Sequence, residues 1–70
     1  MTRNMNTPVA RWRARMGLSQ RAAAEALGMA LSSYQDQERG INRQTGQPIR
    51  TPLTLLLACA AIERGIAPVE

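Results

Sequence analysis

Apolar residues recur with helical spacing near the start of the chain. They lie three and four residues apart, which places their side chains on one face of a helix, and they are Val9, Trp12 and Met16. A Thr-Pro pair precedes this stretch and a glycine follows it, which are signals for a helix start and a helix end. The pattern predicts a first helix over residues 8–16.

Two further short helices are predicted directly after the first. A serine can cap an alanine-dominated helix over residues 20–27, and a glycine follows that segment. The next segment, LSSYQDQER, also stops at a glycine, and it predicts a third helix over residues 31–39. Because Leu31 and Tyr34 are its only apolar residues, this helix is too polar to be buried on a wide face.

A second Thr-Pro pair opens the last predicted helix, which covers residues 52–64. Residues 41–50, which precede it, contain a glycine and a proline that fit either a loop or a short hairpin. The pattern does not decide between these two alternatives. Together the patterns predict an all-α fold, a compact bundle of four short helices, in which residues 8–66 form one domain between a flexible N-terminus (1–7) and a tail (67–70).

The last predicted helix carries two apolar stripes, although one is enough for the core of so small a domain. A chain of 70 residues buries only about 60% of its unfolded surface, so a second copy would add stability that its core lacks. We therefore predict a homodimer, although the spacing alone does not decide which stripe forms the interface. We assign it to Leu55, Cys59, Ile62 and Ile66, and leave the core to Leu53, Leu56, Leu57 and Ala60.

Charge and composition narrow the classes of function. Nine arginines, no lysine and five acidic residues give a net charge of +4, which favours a polyanionic partner, although small soluble proteins are often basic. One cysteine and no histidine exclude an intramolecular disulfide, a zinc site and a Cys/His catalytic pair within one chain. The five acidic residues are scattered, so no set of acid, base and nucleophile can be assembled. We expect no enzymatic activity, no metal and no cofactor.

The chain also lacks signals for a membrane or for export. Its longest apolar run is too short to span a bilayer, and its N-terminus has no apolar signal-peptide core. A single cysteine fits a reducing compartment. We expect a cytoplasmic protein.

The second and third predicted helices, with the short turn between them, have the arrangement of a helix-turn-helix. The segment LSQRAAAEALGMALSSYQDQERG, residues 18–40, resembles the helix-turn-helix of the Cro and phage-repressor family, also called Xre-like. The chain departs from the family at Ala30, where a capping serine or threonine is usual, and at Gln37, where a large apolar residue is usual. The residues that carry the resemblance are Leu18, Ser19, Gln20, Ala24, Glu25, Leu27, Gly28, Glu38, Arg39 and Gly40.

The resemblance implies that the third helix enters the major groove of double-stranded DNA. By position, the base-reading residues are Leu31, Ser32, Gln35 and Asp36. Their chemistry allows Gln35 to pair with adenine and Asp36 to accept from cytosine. The resemblance also implies a structural salt bridge between Arg13 and Glu38.

Contacts to the DNA backbone are expected from a second group of residues. The family has a phosphate-binding glutamine at the start of the second helix, and the region after its third helix lies against the sugar-phosphate backbone. Arg3 of the N-terminus is a further candidate for the backbone or the minor groove. The predicted phosphate contacts are Gln20, Arg21, Arg39, Arg43 and Arg50.

The resemblance therefore implies a sequence-specific transcriptional repressor of the bacterial cytoplasm, associated with the nucleoid. We expect a homodimer that binds an inverted-repeat operator and blocks a promoter, its own included, without a small-molecule effector. The chain also resembles compact phage and mobile-element regulators, including anti-CRISPR-associated repressors and antitoxins, and neighbouring genes would decide among them. The alternative is a helix-turn-helix that binds a protein partner, such as a toxin or a polymerase subunit. Asp36 and Leu31 on the predicted reading face are the best support for that alternative.

Overall fold

A computed structural model describes residues 7–69, and these residues form four helices. They are α1 (Pro8–Met16), α2 (Gln20–Ala26), α3 (Leu31–Arg39) and α4 (Leu53–Glu63). The all-helical prediction is confirmed, and each helix end agrees with its predicted position to within one residue. The predicted flexibility of residues 1–6, the contact predicted for Arg3 and the last residue of the tail lie outside the described residues.

Side-chain capping explains why α1 and α2 begin where they do. The hydroxyl oxygen of Thr7 accepts a hydrogen bond from the backbone N of Ala10 at 3.4 Å, and that of Ser19 accepts from Ala22 N at 3.0 Å. The Thr7 hydroxyl also donates to the backbone O of Glu38 at 2.9 Å. This bond ties the start of α1 to the end of α3.

The core lies where α1, α2 and α3 meet, with one side of α4 closing it. Trp12 and Tyr34 are its largest fully buried side chains. The small side chains of Ala23 and Ala24 let α2 approach its neighbours closely. The buried apolar residues of the described chain are Val9, Ala10, Trp12, Ala23, Ala24, Tyr34 and Cys59.

The stripe of α4 that the sequence assigns to the dimer interface faces the core instead. Cys59 is 5% exposed and belongs to the core cluster, and Leu55 and Ile62 pack against that cluster. The interface assignment of these three residues is therefore corrected, because they are already used inside the protein. Ile66, the fourth member, lies beyond the end of α4 and is 60% exposed.

The other stripe of α4, which the sequence assigns to the core, lies on the surface. Leu53 is 69% exposed and Leu57 is 60% exposed, and we call Leu53, Leu56, Leu57 and Ala60 the outer stripe. Both stripes are apolar, so hydrophobic spacing could not tell them apart. Within the described part of the chain, no helix has the length and apolar character needed to cross a membrane.

Residues 41–50 form a loop rather than a hairpin, since the pairing between Ile41 and Pro48 is an isolated bridge. The side-chain oxygen of Asn42 accepts from the backbone N of Gln44 at 2.8 Å and of Thr45 at 3.1 Å. An asparagine that bonds to its own following backbone closes a tight turn. The turn places Arg43 at its exposed tip.

Candidate nucleic-acid interface

α2 and α3 are consecutive helices that pack against each other across a short turn, residues 27–30. The turn is closed by a hydrogen bond from Met29 N to Ala24 O at 2.8 Å. Gly28 in this turn has a φ of 68°, a conformation that side chains with a Cβ rarely adopt. The turn therefore sets the orientation of α3 relative to α2.

α3 is held against the protein by one side and carries polar residues on the other. Tyr34 and Glu38 are one helical turn apart and both are buried. The helical repeat places Ser32 and Asp36 on the opposite side and Gln35 on the flank next to α2. Ser32, Gln35 and Asp36 are all partly buried.

Leu31, the remaining predicted base-reading residue, is in a different environment. It is partly buried and packs against the core cluster. Part of its apolar surface is therefore already covered inside the protein, which leaves less of it for a thymine methyl group.

A buried ion pair joins α1 to the end of α3. Arg13 Nε donates to Glu38 Oε2, and a terminal nitrogen of Arg13 donates to Glu38 Oε1 at 3.2 Å. The two side chains are 11% and 8% exposed. Arg13 also donates to the backbone O of Leu18 at 3.0 Å, so it holds the turn before α2 as well. The ion pair that the resemblance implies is present in the structure.

The Glu38 carboxylate receives two further hydrogen bonds that sequence reasoning missed. The hydroxyl of Tyr34 donates to Oε2 at 2.7 Å, and the side-chain amide of Gln20 donates to Oε1 at 2.9 Å. Burial opposes ionisation of Glu38, but the hydrogen bonds from Arg13, Gln20 and Tyr34 outweigh it and hold its pKa below the ordinary value. Burial, and then the bond to Glu38, raise the pKa of Tyr34. At neutral pH the network therefore consists of a carboxylate, a guanidinium and a neutral phenol.

The lowered pKa of Glu38 makes acid sensitivity a testable prediction. Because the pKa is lower in the folded chain than in the unfolded chain, Glu38 contributes stability above the unfolded value. That contribution is lost as the pH falls from 4.5, the ordinary pKa of a glutamate, through the lower pKa that Glu38 has in the folded chain. We expect the melting temperature to be steady from neutral pH to mildly acidic pH and then to fall, as measured by circular dichroism.

Glu63 provides the control for this experiment. Its pKa is also lowered, by its hydrogen bonds with Arg15, but that pair is exposed and is screened by salt. The Glu63→Gln variant should therefore still show most of the decrease in melting temperature at acidic pH, and high salt should not abolish that decrease. An unchanged melting temperature at acidic pH would contradict the assignment to Glu38.

The side chain of Gln20 is engaged inside the protein rather than extended into solvent. Its NH₂ group donates to Glu38, and its carbonyl oxygen accepts from the side-chain amide of Gln35 at 3.1 Å. The residue predicted to contact phosphate thus connects the buried carboxylate to the flank of α3.

The predicted phosphate-binding arginines fall into two groups. Arg21, Arg43 and Arg50 are exposed, and none of them forms an ion pair within the described residues. Arg39 donates to the carboxylate of Asp36 one turn earlier on α3, and its side chain is 49% exposed. The charge of Arg39 is therefore partly balanced within α3 itself.

A second contact between helices was not predicted. The guanidinium of Arg15 donates twice to the carboxylate of Glu63, both times at 3.1 Å, and links α1 to α4 on the surface. The two residues are 48 positions apart, so no local pattern indicates the pair.

Gln37 has a buried side-chain oxygen that accepts no hydrogen bond within residues 7–69. An unpaired polar atom in a buried position costs stability.

Comparisons of the chain with known protein families, with curated proteins and with solved structures give no match. Among the described residues, no group of three or more acidic or cysteine side chains is placed to hold a metal ion.

Proposed function

We propose that this protein is a sequence-specific DNA-binding repressor that places α3 in the major groove of an inverted-repeat operator. The observation that carries the proposal is the two-sided character of α3. Buried Tyr34 and Glu38 fix the orientation of the helix on the protein, while Ser32 and Asp36 lie on its other side. Reading base edges needs polar groups held at fixed positions on an element that fits the groove.

The distribution of positive charge supports the same proposal. Arg21, Arg43 and Arg50 are exposed and form no ion pair in the described part of the chain, and the turn closed by Asn42 follows directly after α3. Exposed cations next to a groove-reading helix bind phosphates and release counterions, which gives affinity that depends steeply on salt.

A homodimer is the second part of the proposal, and the outer stripe of α4 is its interface. The segment from Leu53 to Ile62 contains no charged residue, yet only Cys59 of α4 is buried. A helix that is apolar all round is normally covered on more than one side. The outer stripe itself carries no charged residue, so the contact between two copies is apolar, and it has to outweigh the repulsion between two chains of net charge +4.

Selection of bound sequences from a library of random duplex DNA tests this function, with the mass of the protein in solution measured in parallel. We expect an inverted repeat with half-sites separated by about one helical turn, roughly 34 Å, and the mass of a dimer. Failure to enrich any sequence, together with binding that does not depend on salt, would contradict the proposal.

Alanine variants of Arg43 and Arg50 test the interaction with phosphates. Each should weaken binding to the operator and to random duplex DNA by a similar factor. The slope of log K against log salt should decrease by about 0.9 for each phosphate that is no longer neutralised. Fluorescence anisotropy titrations at several salt concentrations measure both quantities.

Arg64→Ala is the matched control, since it removes the same charge from the opposite end of α4. Arg64 is exposed and follows α4, whereas Arg50 precedes it. A decrease in slope for Arg64→Ala equal to that for the other two variants would show a general charge effect instead of a defined phosphate-binding surface.

A further inference from the structure

A cavity of about 260 Å³ lies between the first and the last helix of the chain. Its lining residues belong to α1 and α4 alone, so it is separate from the candidate nucleic-acid interface on α2 and α3. We propose that this cavity binds a small organic carboxylate with an apolar body. No local sequence pattern indicates such a site, because its two walls come from opposite ends of the chain.

The first observation that carries the proposal is a buried donor without an acceptor. Trp12 lines the cavity and is 1% exposed, and its indole N–H has no hydrogen-bond partner within residues 7–69. An indole nitrogen only donates, and a buried donor that is left unpaired costs stability. A ligand that brings an acceptor oxygen to this N–H removes that cost, and a carboxylate has two such oxygens.

The charges around the cavity favour an anion. Arg11 and Arg15 line it against a single carboxylate, that of Glu63. Cys59 adds no negative charge, because burial raises the pKa of its thiol. The guanidinium of Arg15 has five N–H donors and gives two of them to Glu63, so three remain for a ligand.

The remaining lining residues and the volume set the size and character of the ligand. Pro8, Leu56 and Ala60 contribute apolar surface. Sites for drug-sized molecules usually measure roughly 300–1,000 Å³, so this cavity suits a smaller molecule. A single ring that carries one carboxylate meets these requirements, and benzoate is the probe that we choose.

Titration with benzoate tests the site in the protein without DNA. Trp12 is the only tryptophan of the chain, so its indole N–H gives one signal in nuclear magnetic resonance. Benzoate should move that signal in a saturable way, with a dissociation constant of about 1 mM for a ligand of this size. Benzamide has the same ring without the charge and should bind more weakly. An indole signal that benzoate does not move, or that benzamide moves equally well, would overturn the proposal.

Two variants of one surface ion pair separate ligand binding from a structural effect. Arg15→Gln removes a cation that binds the ligand, whereas Glu63→Gln removes the carboxylate that competes for this cation. Both break the same exposed pair, so a purely structural effect would change benzoate binding in the same direction. We expect Arg15→Gln to weaken binding and Glu63→Gln to strengthen it, each by about 1.5- to 5-fold. Changes in the same direction would overturn the proposal.

The position of the cavity also gives the ligand an expected effect on dimerisation. This consequence rests on the proposed homodimer, because Leu56 and Ala60 belong both to the cavity and to the outer stripe. A second copy and a ligand then compete for the same apolar surface. The ligand would act as a small-molecule effector, which the sequence did not lead us to expect.

Analytical ultracentrifugation measures this competition. Benzoate should shift the protein toward the monomer, sodium chloride at the same ionic strength should not, and Glu63→Gln should respond at a lower benzoate concentration. A dimer that benzoate leaves unchanged would overturn the competition. A monomeric wild-type protein would contradict the dimer instead, and the titration of the indole signal would still decide whether the cavity binds a carboxylate.

Discussion

Replacing Glu38 by alanine is expected to leave most of the chain unfolded at 25 °C. Arg13 would keep its charge in a site that is only 11% exposed, and the donors on Tyr34 and Gln20 would lose their acceptor. Removing one partner of a buried ion pair typically costs about 3–5 kcal/mol. A core of this size supplies only roughly 3–5 kcal/mol in total, so the loss is comparable to the whole stability.

Circular dichroism with urea or thermal unfolding measures this effect. Glu63→Ala is the matched control, because it removes a carboxylate from an ion pair that is exposed, and it should change the unfolding transition little. A cooperative transition for Glu38→Ala near that of the wild type would show that the buried pair does not hold α1 and α3 together.

Replacing Leu57 by glutamate on the outer stripe of α4 is expected to separate the dimer. Leu57 is 60% exposed in the single chain, and a two-fold interface contains each substitution twice. Burying the exposed part of one leucine contributes about 0.9–1.8 kcal/mol in each copy, so its loss weakens dimerisation by at least roughly 20- to 400-fold. Binding to an inverted repeat should fall with it, because each half-site would then be bound independently.

Ile66→Glu is the control for this experiment. Ile66 has the same exposed fraction as Leu57, lies outside the outer stripe and belongs to the stripe that the sequence assigns to the interface. Analytical ultracentrifugation of both variants should find monomers for Leu57→Glu and dimers for Ile66→Glu. The reverse result would move the interface to the end of α4, and a monomeric wild-type protein would contradict dimerisation.

The positions of the helices could be predicted from the sequence because the signals that start and stop a helix are local. The hydroxyls of Thr7 and Ser19 cap the first two helices, and glycines end α1 and α3 in the left-handed conformation. Each of these effects acts within a few residues. Residues 41–50 stayed ambiguous because a loop and a hairpin use the same turn residues, so the local sequence fits both.

The candidate interface was predictable in part. The polarity of α3 is visible in its sequence, and the pairing of Arg13 with Glu38 followed from the resemblance to a known family. The engagement of Gln20 did not follow, because it depends on the distance between the start of α2 and the flank of α3. A side chain that reaches solvent in an isolated helix is redirected when a buried carboxylate lies 2.9 Å away.

Four short helices, a polar third helix and a surplus of apolar residues on the last helix all follow from local sequence patterns. The side of α4 that faces the core is known only from the folded chain, where Leu55, Cys59 and Ile62 pack inside. Hydrophobic periodicity measures how apolar a face is, and both faces of α4 are apolar, so periodicity does not distinguish them. The choice between them depends on packing against α1, which forms only when these distant segments of the chain come together.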